Sequence, residues 1–131
     1  MVALVDVDLP REPTAGRQAR ELLAAHLSEL DQAELDTAKL LVTELVNNAV
    51  LHGQGTVGLR VSLGADRLRI DVIDEGSGFE ANIRDANFDG FGGRGLRIVD
   101  AAASRWGVHE GTAHVWCELE RASPRSPNPF P

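Results

Sequence analysis

After a short break at Ser28 to Asp31, the chain enters a long stretch of helical periodicity that ends at Gly53. Ala38, Leu41, Val42, Leu45, Val46 and Ala49 recur at i, i+3, i+4, i+7, the spacing that builds one buried face. Glu44, Asn48 and His52 follow at i, i+4, i+8 and form a second row beside that face, with Leu40 and Leu51 on its far side. A carboxylate and a carboxamide therefore stand between two apolar strips, and polar groups in such a position must find partners. Taken alone, the row fits two readings. Either Asn48 and Glu44 bond to a neighbouring loop, or they belong to a metal and nucleotide site.

The pattern on either side predicts the remaining elements. Val2 to Leu9 alternates weakly, and Pro10 and Pro13 close it, as expected of an edge strand. Thr14 is a plausible N-cap for a helix to about Leu27, with Ala19, Leu22, Leu23 and Leu27 at helical spacing. Thr56 to Leu63 and Arg67 to Asp74 both alternate with period two around a turn at Gly64-Ala65-Asp66, which predicts a hairpin. Phe79 to Gly93 is polar and glycine-rich and reads as a mobile loop. Gly95 opens another helix, Leu96 to about Ser104, and Trp106 to Val108 and Ala113 to Glu120 read as two more strands. Gly53 reads as a C′ residue ending the long helix. The order β, α, α, β, β, loop, α, β, β gives an α/β (α+β) two-layer sandwich, a mostly antiparallel sheet covered on one face by about three helices. Residues 1–121 form the expected domain, and residues 122–131, rich in Pro and Ser, the expected disordered tail.

A chain of 131 residues, 43% hydrophobic, supports one globular domain. Its net charge of −7 argues against a nucleic-acid backbone as main partner. The single cysteine, Cys117, makes no internal disulfide, and no segment is apolar and long enough to span a bilayer. The opening MVALVDVDLP lacks a basic start and is interrupted by Asp6 and Asp8, unlike a signal peptide. These features lead to the expectation of a cytoplasmic protein.

Three constellations carry chemistry. In the first, the side-chain oxygen of Asn48 is a hard donor suited to Mg²⁺, and Glu44, one turn away, is placed to accept a hydroxyl proton. His52 at the helix end reads as structural, favoured by the C-terminal dipole. The second is Asp74, Gly76 and Gly78 in VIDEGSGF: an acid at a strand end with glycines after it can hold an amino group while the backbone approaches a flat ligand. A plain Asx turn has the same pattern. The third is GFGGRGL, Gly90 to Leu96. It satisfies G-x-G-x-x-G, but that dinucleotide motif follows the first strand of a parallel unit, and here a polar loop precedes it. Free N–H groups at the helix start, with Arg94 beside them, make an anion site for phosphates the better reading against a glycine-rich hinge.

Together these stretches resemble the GHKL, or Bergerat-fold, ATPases, and within them the anti-sigma-factor serine kinases. ELVNNAVLHG is similar to the N box, DEGSG to the first glycine box, and GRGLRIVDAAASRWGV to the second with the helix and strand after it. VWCEL resembles the closing strand and LPREPTAGRQAR the approach to the first helix, so the likeness runs from Leu9 to about Arg121. The resemblance implies that Asn48 coordinates Mg²⁺, that Glu44 is the general base, and that Asp74 accepts the adenine amino hydrogen. It further implies that Gly76 and Gly78 shape the adenine pocket, that Phe79 to Gly92 is the ATP lid, and that Gly93, Arg94, Gly95 and Leu96 cradle the phosphates. The implied cofactors are ATP and Mg²⁺. The implied partners are a sigma factor and an antagonist protein carrying the target serine, with a homodimer as the common assembly.

The chain departs from the family pattern at two places. Leu51 stands where many members have a basic residue, and Ala113-His114 where many have Lys-Thr. Each departure removes a phosphate contact, which favours the rival expectation of a non-catalytic module that acts by binding a partner. The catalytic half of a histidine kinase fits less well, since only about 30 residues precede the long helix and they hold no dimerising helix pair.

Overall fold

In the computed structural model the described residues are 1–76, 93–109 and 113–121. Strand β1 (Val2–Leu9) leads to helices α1 (Ala15–His26) and α2 (Gln32–His52), then to strands β2 (Val57–Leu63) and β3 (Arg67–Ile73). Helix α3 (Gly93–Ala102) and strands β4 (Arg105–His109) and β5 (His114–Glu120) complete the described elements. The strands form one sheet in the order β1-β2-β3-β5-β4, antiparallel at every pairing. This is the α+β sandwich that the sequence pattern predicts.

Period two divides each strand between core and outer face. Val57, Leu59, Val61 and Leu63 of β2, Leu68, Ile70 and Val72 of β3, and Val115 and Cys117 of β5 are all buried. They meet the apolar stripe of α2 and Ala15, Ala19 and Leu23 of α1 in one core. Each large side chain moved out of water there contributes on the order of 1.5–3 kcal/mol. Burial also pushes the Cys117 thiol up to about 12, so the lone cysteine is a packing residue without nucleophilic character at neutral pH.

The helix ends show where local chemistry differs from expectation. Thr14 is the N-cap of α1, but its backbone is already helical (φ −86°, ψ 0°) and its hydroxyl makes no capping bond. That hydroxyl accepts instead from Gln18 Nε2 at 3.0 Å. The start of α2 is better secured: the Glu34 N–H donates to Asp31 Oδ1 at 2.8 Å and the Asp31 N–H to Glu34 Oε1 at 3.1 Å. This reciprocal box contributes about 0.5–2 kcal/mol and fixes where α2 begins. Gly53 does end α2, but in extended backbone (φ −95°, ψ −164°) rather than the left-handed form of a C′ glycine. Helix α3 begins at Gly93, ahead of the expected Gly95. The expected mobile loop falls almost wholly, and the expected disordered tail wholly, outside the described residues.

Among the described residues no helix covers the other sheet face, and β1 lies at one edge as predicted. On that face Arg67 Nη1, Arg69 Nη1 and Arg105 Nη2 reach Glu118 at 3.4, 3.2 and 2.6 Å. Arg69 also pairs with Asp71 at 3.1 Å and lies 4.5 Å over the Trp116 ring, which itself covers Gly107. Burial alone would raise the Glu118 pKa, but bonds from Arg105 and Arg69 and the nearby Arg67 charge outweigh it and hold the carboxyl below its ordinary value. A carboxylate depressed in the fold stabilises above its unfolded pKa, and that stability is lost as pH falls through the folded value. Glu118→Gln is therefore expected to lower stability near neutral pH by about 1–3 kcal/mol. The difference between variant and wild type should shrink in acid, below the ordinary glutamate value of 4.5. Urea midpoints at neutral and acid pH check this, and a gap that did not narrow would contradict it.

Candidate functional site

The site is assembled around the C-terminal half of α2. Thr43 and Asn47 face α1: Arg20 Nη1 donates to Thr43 Oγ1 at 3.1 Å, and the Asn47 amide lies against Gly16. At 100° per residue Asn48 then falls on the opposite flank, the side left to α3, which also packs on α2. Asn48 is 5% exposed, and its Oδ1 is buried without a hydrogen-bond partner among the described residues. An orphaned buried carboxamide oxygen costs roughly 1–3 kcal/mol. Such a group calls for an explanation, and an absent cation or ligand donor is one. Glu44 lies one turn earlier and is half-buried, at the border of the outward row that holds Leu40 and Leu51, 42% and 73% exposed.

The last turn of α2 is tied down from outside, where Arg11 Nη1 donates to the Val50 carbonyl at 2.8 Å. It delivers Gly53 against the Asp74 carboxylate, so close that a Cβ at position 53 would overlap Oδ2. Glycine is required there for space. Asp74, at the end of β3, is 7% exposed. Its Oδ1 accepts from the Gly76 N–H at 2.6 Å and from the Gln54 N–H at 3.4 Å, while its own N–H donates to the Ala113 carbonyl at 3.1 Å. Asn48 stands five residues before Gly53, about 7.5 Å along the helix axis. One helix thus connects the two residues that the sequence singles out separately.

The other expected site residues are placed as follows. Gly93, Arg94 and Gly95 supply the first turn of α3, where a helix has backbone N–H groups without an intrahelical partner, the kind of donor that suits an anion. Leu96 is 1% exposed, so it is a core side chain and only its backbone N–H is suited to a phosphate. Gly78 and the segment expected as a lid up to Gly92 lie outside the described residues. Burial lowers the His52 pKa, which favours a neutral ring over the dipole-stabilised cation that its position suggests. His114 Nε2 lies 2.8 Å from Asp71 Oδ1 on the bare sheet face, since its neighbour Val115 faces the core. It is therefore directed away from α2 and replaces no phosphate contact there.

Sequence reasoning expected one uncovered sheet face but not the groove on it. A groove of about 640 Å³ opens on it, lined by Asp6, Asp8, Arg60, Arg69, Asp71 and His114 among others; it reaches Asp74 and Glu75 but includes neither Glu44 nor Asn48. Alternation marks these residues as outward, but only the strand register shows that they interlock. Among the described residues no cluster of three or more His, Cys, Asp or Glu could hold a metal ion. No helix among them is long and apolar enough to cross a membrane.

Comparison with known proteins bears on the same elements. Over 68 residues the chain is 45% identical to the anti-sigma F factor of Clostridium acetobutylicum, covering 47% of this chain and 48% of that protein. It is 34% identical over 68 residues to that of Thermoanaerobacter pseudethanolicus and 33% identical over 75 residues to that of Clostridium beijerinckii, covering 48% and 52% of those proteins. The chain thus spans about half the length of the curated relatives it matches. Residues 9–117, from the end of β1 into β5, match the histidine kinase-like ATPase domain. That match covers most of the chain and every described site residue, and the chain belongs to the histidine kinase-like ATPase domain family.

Proposed function

We propose that this protein binds ATP with Mg²⁺ and acts as an anti-sigma regulator with serine kinase activity on an antagonist protein. The observation that carries the reading is the orphaned Oδ1 of Asn48, buried on the helix whose end meets Asp74. A hard oxygen donor of that kind fits Mg²⁺, which Asn48 would hold beside the phosphates of the nucleotide. Asp74, its Oδ1 held by two backbone N–H groups, is placed to accept from an adenine amino group. The first turn of α3 offers N–H donors to the phosphates.

In the transfer itself Glu44 takes the proton of a partner's serine hydroxyl as that oxygen bonds the γ-phosphorus and the bond to the β-phosphate oxygen breaks. Mg²⁺ held by Asn48 would supply neutralisation of the charge that develops on the phosphates. The partial likeness to anti-sigma F factors supports a sigma factor as a partner. An antagonist carrying the target serine and a homodimeric assembly are part of the same proposal and rest on the motif resemblance alone.

A non-catalytic partner-binding role has its own support. Leu51 is 73% exposed and brings no charge to the site, and His114 is engaged with Asp71 on the far face. Calorimetric titration of ATP with and without Mg²⁺ separates the two readings. Mg²⁺-dependent binding that Asp74→Asn weakens by at least about tenfold, or 1.4 kcal/mol, is the expected result. No heat at millimolar ATP would leave the partner-binding role.

A further inference from the structure

We infer that Gly55 and Glu75 are positioning residues that set the orientation of the Asp74 carboxylate without touching a nucleotide, an inference that rests on the adenine reading above. The segment Gly53 to Thr56 runs directly beside Asp74 to Gly76. The Glu75 N–H donates to the Gln54 carbonyl at 2.8 Å, and the Gln54 N–H donates back to Asp74 Oδ1 at 3.4 Å. With the Gly76 N–H on the same oxygen, Oδ1 is held by donors from both segments. The carboxylate is thereby fixed in rotation, with Oδ2 against Gly53.

What keeps the two segments in register is the turn at Gly55. Its φ of 68° lies in the left-handed region, which a residue with a Cβ enters only at a cost. The Glu75 carboxylate fills the space that a Cβ at Gly55 would need, and the Thr56 hydroxyl donates to Glu75 Oε2 at 3.3 Å. Glu75 is thus folded back over the turn, away from Asp74's own contacts. Its side chain locks the turn whose preceding amide, the Gln54 N–H, holds Asp74.

The test combines two readouts on the full chain. The first, free of nucleotide, is amide hydrogen exchange at Gln54 and Gly76, which Gly55→Ala and Glu75→Ala are expected to accelerate and Glu75→Gln, still an acceptor for Thr56, to leave as in the wild type. The second is the ratio of affinities for ATP and for purine riboside triphosphate, which lacks the 6-amino group. Gly55→Ala is expected to weaken ATP binding about tenfold while leaving purine riboside triphosphate unchanged. A merely structural loss would weaken both equally. Unaltered exchange in both Gly55→Ala and Glu75→Ala, or an ATP preference kept by both, overturns the inference. Equal affinities in the wild type overturn the adenine reading and the inference with it. The exchange data, independent of nucleotide, tell that outcome from a failure of the turn alone.

Discussion

Replacing Glu44 with alanine is expected to slow phosphotransfer to a serine-bearing antagonist by about 10²–10⁴-fold, the contribution of a positioned general base. ATP affinity should not change. Glu44 follows the helical period from Asn48, one turn away, so it stands next to the proposed metal ligand without being one. The packing around it is asymmetric. Asn48 is buried toward the core, whereas Glu44 is half-buried and borders a row with Leu40 42% exposed. A base that must meet a hydroxyl carried by another protein needs that accessible position. Glu44→Gln separates charge from shape: it keeps a side chain of the same length and is expected to fail as alanine does. Single-turnover transfer to candidate antagonists encoded nearby, with ATP binding measured in parallel, gives both numbers. Wild-type rates in Glu44→Ala would remove Glu44 from the chemistry, and a matching loss of ATP affinity would make it a binding residue instead.

Much of this geometry was legible in the sequence because it depends on local period. Helical spacing puts Glu44 and Asn48 beside the buried face of α2, and alternation separates the core side of β2 and β3 from the outer side. The Asp31-x-x-Glu34 box was equally local and could have been read from the same rule. What the pattern did not reveal depends on distant pairings. Gly53 reads as a helix terminator, yet its lack of a Cβ is required by Asp74, a residue from the next hairpin. Arg69, Asp71, Trp116 and Glu118 each look like solvated strand positions. Only the register that sets Asp71 opposite Trp116 and Arg69 opposite Glu118 turns them into a paired network. His114 shows the same limit: it aligns with a position near the phosphates in the family pattern, whereas its strand phase directs it to the other face.

Asn48→Leu is expected to stabilise the nucleotide-free protein while abolishing Mg²⁺-dependent ATP binding. The native Oδ1 is buried with no partner among the described residues, so the free protein carries a desolvation cost of about 1–3 kcal/mol that an apolar side chain of similar size removes. In a chain of this size, each kcal/mol recovered raises the melting temperature by about 4 °C. Leucine offers no oxygen, so the metal loses its protein ligand and ATP binding should fall to what the base and phosphate contacts alone support. Asn48→Ala should also lose binding but without the gain, because it leaves a hollow beside Leu45 and Ala49. Thermal unfolding without nucleotide and titration of ATP with Mg²⁺ measure the two effects on the same samples. Opposite signs would identify Asn48 as a residue whose strain is kept for a ligand. If Asn48→Leu destabilised the free protein, the carboxamide would have a structural partner, and if it bound Mg²⁺-ATP normally, the proposed metal ligand would lie elsewhere. Stability and binding pull in opposite directions at this position only if its partner is something that the folded chain itself does not provide.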